Sequence, residues 1–178
     1  MSVVTFADVA HPAVTFNTSL PEEELIVQLI DTRWFQRLRD ISQTANTRLV
    51  YMFSEHSRFG HSIGVAYLAK LVLNSLSDRH KAAVDPYRCA VLAAALLHDI
   101  GHVAPGSHTA YKTWFPNAGD IHEELGCRIL QEDPEIVELL SHSAVPPNLL
   151  QLVLKILTAS EDVPAWTWEI ISGGGWNV

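Results

Sequence analysis

The sequence predicts an all-α fold in a single domain, and three observations support that prediction. Proline, glycine, asparagine and aspartate mark turns that divide the chain into segments of helical length. Apolar residues inside those segments recur at spacings of three and four, whereas the alternating pattern of a half-buried strand is nearly absent. A chain of 178 residues is also long enough to bury one core without disulfides. We therefore expect a single helical domain over 1–178, with short irregular or extended connections.

The turn signals bound the expected helices in chain order. The helices cover residues 22–31, 33–44, 58–77, 86–99, 120–132, 134–142 and 147–159. The second contains FQRLRD, in which basic residues are interleaved with Trp34, Phe35 and Leu38. A core-facing amphipathic helix explains this pattern better than a nucleic-acid patch. The segment RLVYMF at 48–53 is expected to form a short extended piece.

The composition argues against several partners. The formal net charge is −8 and no basic stripe runs along the chain, which argues against duplex nucleic acid. The longest apolar runs are short and interrupted by polar residues, so none is expected to span a membrane. The N-terminus lacks the pattern of a secretion signal, and Cys89 and Cys127 are isolated, as is usual in a reducing compartment. We expect a cytoplasmic protein whose two cysteines act as small buried hydrophobes.

Two of the expected helices place histidines on inward faces. An apolar stripe in the first of them consists of Val65, Leu68, Val72 and Leu76. His61 lies one helical turn before that stripe and on the same face. At the end of helix 86–99, His98 continues the buried face, and Asp99 follows about 100° further around the axis. Both side chains can converge just beyond the helix end, which Gly101 is expected to terminate.

This histidine cluster admits two interpretations. A lone inward histidine is more often a hydrogen-bonded core residue than a ligand. Here His102, His108 and His122 add three imidazoles at helix ends or in loops, and a buried imidazole beside a buried carboxylate is costly unless something pairs with it. Either these groups satisfy one another, or a divalent cation lies between them. The clustering favours the cation, held by imidazole nitrogens and carboxylate oxygens.

Four ordered segments resemble the HD superfamily of metal-dependent phosphohydrolases, in particular its deoxynucleoside-triphosphate triphosphohydrolase-like branch. The segments are IDTRWFQRLRDISQ (30–43), SEHSRFGHSIGVAYLA (54–69), LLHDIGHVAPGSH (96–108) and IHEELGCRIL (121–130). An isolated His-Asp pair is a weak signal, but four matches in the same order are specific. The resemblance implies an HD-domain helical bundle that hydrolyses a nucleotide or another phosphate ester.

The resemblance also implies a metal site. Its ligands would be His61, His98 and Asp99, and the ion would be a divalent metal such as Mn, Fe, Mg, Co, Ni or Zn. Such an ion makes water a stronger acid and polarises a phosphoryl oxygen. In this branch, attack of water at the α-phosphorus would release nucleoside and tripolyphosphate. Because similar enzymes commonly assemble as dimers or higher oligomers, a homo-oligomer is a further expectation.

Other residues receive roles from the same resemblance. His102, His108 and His122 would line the phosphate side of the cleft, and His108 or His122 would donate a proton to the leaving oxygen. Histidine suits that task because imidazole titrates near neutral pH. Arg58 would contact a substrate phosphate as a planar bidentate donor, and Gln43 would approach the sugar or base.

Three departures from the family pattern lead to an alternative. The loop from His102 to His108 is one residue longer than usual, and Tyr111 stands where the family carries an acid. The sequence ends at Val178, where a distal aspartate ligand would follow, so we expect the N-terminal portion of a longer HD-domain protein. The alternative is a catalytically weakened or truncated HD module that binds metal or nucleotide as a regulator.

Overall fold

The chain is predominantly helical. The computed structural model describes residues 2–7, 11, 13–52, 54–104, 106, 113–114, 116–117, 121–142 and 145–172. The helices are α1 (Pro21–Asp31), α2 (Arg33–Gln36), α3 (Arg58–Leu97), α4 (His122–Glu132), α5 (Pro134–Ser141), α6 (Leu149–Leu157) and α7 (Trp166–Ser172), with 3-10 helices at Arg37–Asp40 and Ala45–Leu49. The predicted all-α class is confirmed. None of the helices in these ranges is both long and apolar enough to cross a membrane.

The central element is α3, which folds back on itself. His80 has non-helical backbone angles (φ −134°, ψ 38°), and the chain reverses there. Two hydrogen bonds then join the arms on either side: Ser77 Oγ to Asp85 Oδ1 at 2.8 Å, and Arg88 Nη2 to Asn74 Oδ1 at 2.5 Å. The two arms correspond to the predicted helices 58–77 and 86–99.

The turn predicted at Asp85–Pro86 is helical instead. Pro86 lies inside α3, six residues after the reversal at His80, and the helix continues through it. The predicted stripe on the first arm is also rotated. Leu68, Val72 and Leu76 are only half-buried, and the most buried line runs through Ala66, Ala69 and Leu73. Two of its three residues are alanines, whose small side chains let neighbouring elements approach the helix axis closely.

The second arm of α3 forms the middle of the core. Every residue from Ala90 to Leu97 is buried, and α3 packs against α1, α6 and α7. The largest fully buried side chains include Phe35, Leu92, Leu96 and Leu130. Burial of this segment on all sides explains its continuous apolar sequence.

Three local predictions were wrong. The helix predicted over 33–44 is α-helical only to Gln36, continues as a 3-10 helix to Asp40 and then becomes extended. The extension occurs because the main chain pairs with the start of α3: Arg58 N donates to Ile41 O at 2.9 Å. The segment predicted as extended over 48–53 begins inside the 3-10 helix Ala45–Leu49 and continues as a turn over 50–52, while Phe53 lies outside the described residues. Helix α7 was not predicted at all.

The chain also contains a small hairpin that the sequence did not indicate. Strands β1 (Val3–Phe6) and β2 (Val14–Asn17) pair antiparallel. Four residues are too few to give a clear alternation. An ion pair between two helices also binds the hairpin. Lys70 Nζ lies 2.7 Å from Glu23 Oε2, and the same ammonium donates to the main-chain oxygen of Thr15 in β2 at 2.8 Å. The same Glu23 oxygen accepts from Asn17 N at 2.6 Å.

Candidate metal centre

The reversal of α3 brings the predicted ligands together. In a straight helix, residues 37 positions apart would be separated by roughly 55 Å. Instead the rings of His61 and His98 are 5.3 Å apart, edge to face, because they lie near the outer ends of the two arms. Asp99 follows directly: His61 Nε2 is 3.8 Å from Asp99 Oδ2, and His98 Nε2 is 3.5 Å from Asp99 Oδ1.

These spacings fit a shared ion. One ligand atom from each of His61, His98 and Asp99 lies within 4.8 Å of the others. Two atoms bound to one ion at about 2.1 Å are separated by roughly 3–4 Å, depending on the angle between them. Small side-chain movements are therefore sufficient for all three to bind the same cation.

The helix end selects the tautomer of His98. Its Nδ1 lies 2.9 Å from the carbonyl oxygen of Ala95, one of the last carbonyls of α3. A carbonyl only accepts, so Nδ1 carries the hydrogen, and in the neutral ring Nε2 is then the nitrogen available to a metal on the side of Asp99. A backbone carbonyl on the second ring nitrogen is the usual arrangement behind a metal-binding histidine.

The charge states also suit a cation. Burial lowers the pKa of His61 to about 4, and the adjacent His98 acts in the same direction, so the His61 imidazole is neutral at neutral pH. Burial alone would raise the pKa of Asp99, but the hydrogen bond from His102 and the neighbouring His98 and Arg58 outweigh it and hold that pKa well below its usual range. The site thus combines neutral imidazole with ionised carboxylate, as metal binding requires.

Arg58 lies beside the ligands and is almost fully buried. Its Nη1 donates to Asp99 Oδ2 at 2.6 Å, and its Nη2 donates to the Gly106 carbonyl at 2.8 Å. The two side chains of the ion pair are only 5% and 7% exposed. In this arrangement the guanidinium orients the carboxylate, and its predicted contact with a substrate phosphate stays a prediction.

His102 and His122 form a stacked pair next to the carboxylate. The rings are 4.2 Å apart with an interplanar angle of 21°, and His102 Nε2 is 3.3 Å from Asp99 Oδ1. Burial lowers the pKa of His102, against the opposing effect of Asp99. Their roles at a phosphate stay predictions. His108, like Tyr111, lies outside the described residues.

Gly101 allows the turn after α3 to pack closely against α4, and it does not end the helix. Helix α3 ends at Leu97, and Gly101 packs directly on α4. A Cβ there would overlap the His122 carbonyl oxygen and the Gly126 backbone. The expected terminating role was therefore wrong, and the glycine serves close packing instead.

Gln43 lies beside the segment that leads into α3. Its main-chain N–H donates to the main-chain oxygen of His56 at 3.1 Å, and Ser42 forms an isolated antiparallel bridge with Ser57. Its side-chain Oε1 is buried and has no hydrogen-bond partner in the described part of the chain. The structure leaves the predicted sugar or base contact of Gln43 as a prediction.

Two further residues shape the site without having been predicted. Arg37 Nη2 donates to the main-chain carbonyl of Ile100 at 2.7 Å. Gly106 has φ +88°, and a Cβ there would overlap the Ser42 carbonyl oxygen. The glycine itself was a usable signal for a left-handed turn. No sequence signal distinguished Arg37 from the other basic residues of FQRLRD.

Comparison with known proteins decides the family. A family model described as HD domain matches residues 58–160. The chain belongs to the HD-domain family. The matched region of this HD chain includes all three candidate metal ligands, and the predicted membership of the HD superfamily of phosphohydrolases is confirmed.

Several relatives resemble this HD chain over most of its length. The protein YwfO of Bacillus subtilis is 37% identical over 135 residues, which are 76% of this chain and 30% of YwfO. Deoxynucleoside triphosphate triphosphohydrolase SAMHD1 of Mus musculus is 33% identical over 162 residues, 89% of this chain and 22% of SAMHD1. A phosphohydrolase structure from Bacteroides thetaiotaomicron superposes with a TM-score of 0.74 at 25% identity, covering 95% of this chain and 38% of that one. The HD chain thus spans less than half the length of these relatives.

Proposed function

We propose that the HD protein is a metal-dependent phosphohydrolase acting on nucleotides, with (d)NTP triphosphohydrolase-like hydrolysis by activated water. The convergence of His61, His98 and Asp99 within 4.8 Å carries this proposal. The name of the SAMHD1 relative supports a deoxynucleoside triphosphate as the substrate class. The single HD domain over 1–178 and a homo-oligomeric state belong to the same proposal.

The donor set favours a transition metal. Two imidazole nitrogens and one carboxylate oxygen suit Mn, Fe, Co, Ni or Zn, whereas Mg prefers oxygen ligands alone. Three protein ligands also leave coordination positions for water and substrate. When bound, a divalent ion polarises a phosphoryl oxygen and makes water a stronger acid near neutral pH.

The residues of the chain supply positioning and proton transfer. Arg58 holds the Asp99 carboxylate in one orientation through a 2.6 Å hydrogen bond. His102 donates towards the other carboxylate oxygen and stacks on His122, which fixes the plane of the His122 ring. In the proposed reaction His122 or His108 donates a proton to the leaving oxygen of the substrate. Such fixed geometry matters because phosphoryl transfer depends mainly on in-line positioning and charge neutralisation.

Metal analysis and a product assay test this function together. We expect the protein to bind a divalent ion and, with Mn²⁺ and each dNTP, to release nucleoside and tripolyphosphate. His61→Ala and Asp99→Ala should lose both properties, whereas His80→Ala, which removes an exposed histidine at the α3 reversal, should keep them. Unchanged metal content and activity in His61→Ala and Asp99→Ala would rule the proposal out.

The second candidate is a regulatory HD module that binds metal or nucleotide without turnover. It is favoured by the burial of Arg58, whose guanidinium already contacts Asp99 and the Gly106 carbonyl. A phosphate would have to displace these contacts to reach it. Thermal stabilisation by a nucleotide, with no product after hours of incubation, would select this function over hydrolysis.

A further inference from the structure

Arg37 contacts the turn that carries two of the candidate ligands, His98 and Asp99. It lies in the 3-10 helix Arg37–Asp40, and its Nη2 donates to the Ile100 carbonyl at 2.7 Å. Ile100 is fully buried and directly follows Asp99. The turn has few main-chain bonds of its own: Ile100 N to Leu97 O at 3.0 Å, and His102 N to Asp99 O at 3.1 Å.

The guanidinium of Arg37 is itself held in place. It lies 5.2 Å from the centre of the Trp34 ring, and Trp34 Nε1 donates to Asp133 Oδ2 at 2.9 Å. The other oxygen of Asp133 accepts from the main-chain amides of Glu135 and Ile136, at 3.1 Å each, where α5 begins. A continuous set of contacts therefore runs from the start of α5 through Trp34 and Arg37 to Ile100.

We propose that Arg37 is a positioning residue for the metal centre. By binding the Ile100 carbonyl it fixes the turn, so that His98 and Asp99 face His61. Without this donor the buried carbonyl loses its charged partner, and the turn gains freedom to rotate the ligands apart. The inference rests on the proposed function, which supplies the metal. The effect of Arg37 on the turn exists in the metal-free protein as well.

Hydrogen exchange in the metal-free protein tests the turn directly. In Arg37→Gln we expect the amides of Ile100 and His102 to exchange about tenfold faster or more, while amides of α6 keep their wild-type rates. Arg33→Gln is the matched control, because Arg33 also lies over Trp34, at 5.5 Å, and pairs with Asp133, yet its side chain is 78% exposed. We expect less than about a twofold change in that control.

Mn²⁺ affinity, measured by electron paramagnetic resonance, tests the consequence for the site. Arg37→Gln should bind Mn²⁺ about 10–100-fold more weakly than wild type, Arg37→Lys should recover part of the loss, and Arg33→Gln should match wild type. Lysine recovers only part because its ammonium donates to the carbonyl but does not stack as a planar group. If Arg37→Gln does not fold, the same comparison is made between Arg37→Lys and Arg33→Gln.

The outcomes separate this proposal from the proposed function. Equal exchange in the Arg37 and Arg33 variants overturns the positioning role, and so does faster exchange that extends equally into α6, since that indicates global destabilisation. If wild type binds no Mn²⁺, the proposed function fails, and exchange at Ile100 and His102 alone decides the role of Arg37. If wild type binds Mn²⁺ and Arg37→Gln binds it equally well, the positioning proposal is wrong.

Discussion

The Arg58–Asp99 ion pair should stabilise the metal-free protein as well as orient a ligand. Arg58 Nη1 and Asp99 Oδ2 are 2.6 Å apart, and both side chains are more than nine-tenths buried. Replacing Asp99 with Asn leaves the guanidinium buried without its counter-charge, although its bond to the Gly106 carbonyl remains. Replacing Arg58 with Met leaves the carboxylate with histidine neighbours only.

The expected loss follows from this burial. Removing one partner of a buried pair costs about 3–5 kcal/mol, because an uncompensated charge stays in the interior. For a domain of this size that corresponds to a fall in Tm of roughly 6–20 °C. The double variant Arg58→Met/Asp99→Asn should lose about 2–3 kcal/mol less than the sum of the two single variants.

A double-mutant cycle by urea unfolding in EDTA measures this coupling. The control cycle uses Arg128 and Glu132, an exposed pair at 3.3 Å with side chains 59% and 64% exposed, whose coupling should be about 0.5 kcal/mol or less. The reasoning would be refuted if the Arg58–Asp99 coupling were no larger than that of the control. The reasoning would also be refuted if each single variant lost less than about 1 kcal/mol of unfolding free energy and the two losses simply added in the double variant.

Three further predictions concern other parts of the chain. Lys70→Met should lower the free energy of unfolding in urea by about 3–5 kcal/mol, because it leaves the buried Glu23 carboxylate without its counter-charge. Adding Glu23→Gln should restore part of this loss, and no restoration would contradict the pairing. Gly101→Ala should cost at least about 2 kcal/mol, since its Cβ meets the α4 backbone, whereas Gly64→Ala, with open space around it, should be neutral or stabilising by up to ~1 kcal/mol. Burial raises the pKa of Cys89 to about 12, so at pH 8 only ~1 in 10,000 of its thiols is ionised. Mass spectrometry should find Cys89 alkylated by iodoacetamide only after unfolding; rapid labelling of the folded protein would contradict its burial.

Much of the site was predictable because its geometry is local. The position of His61 one turn before the buried Val65, and the position of the His98–Asp99 pair at a helix end, follow from the helical repeat. The bond from His98 to the Ala95 carbonyl is likewise local, since it spans three residues. The order of the four family-like segments then indicated that these residues meet.

Side-chain contacts between residues far apart in the sequence were not predictable in the same way. The contact of Arg58 with Asp99, 41 residues later in the chain, was not predicted, and its expected contact with a substrate phosphate stays a prediction. Arg37 contacts the Ile100 carbonyl across 63 residues, although nothing in FQRLRD distinguishes it from Arg39. Such contacts depend on which elements pack together, and a side chain with several donors can satisfy them in many environments.

The sequence by itself determined the all-α class, the family and the three residues that converge on the candidate metal site, because short-range helical periodicity and ordered motifs encode them. Only the tertiary structure decided that α3 reverses at His80, that Arg58 neutralises Asp99 and that Arg37 supports the turn behind it. The physical reason is that a buried charge or carbonyl needs a partner but does not specify which one. Packing of distant segments makes that choice.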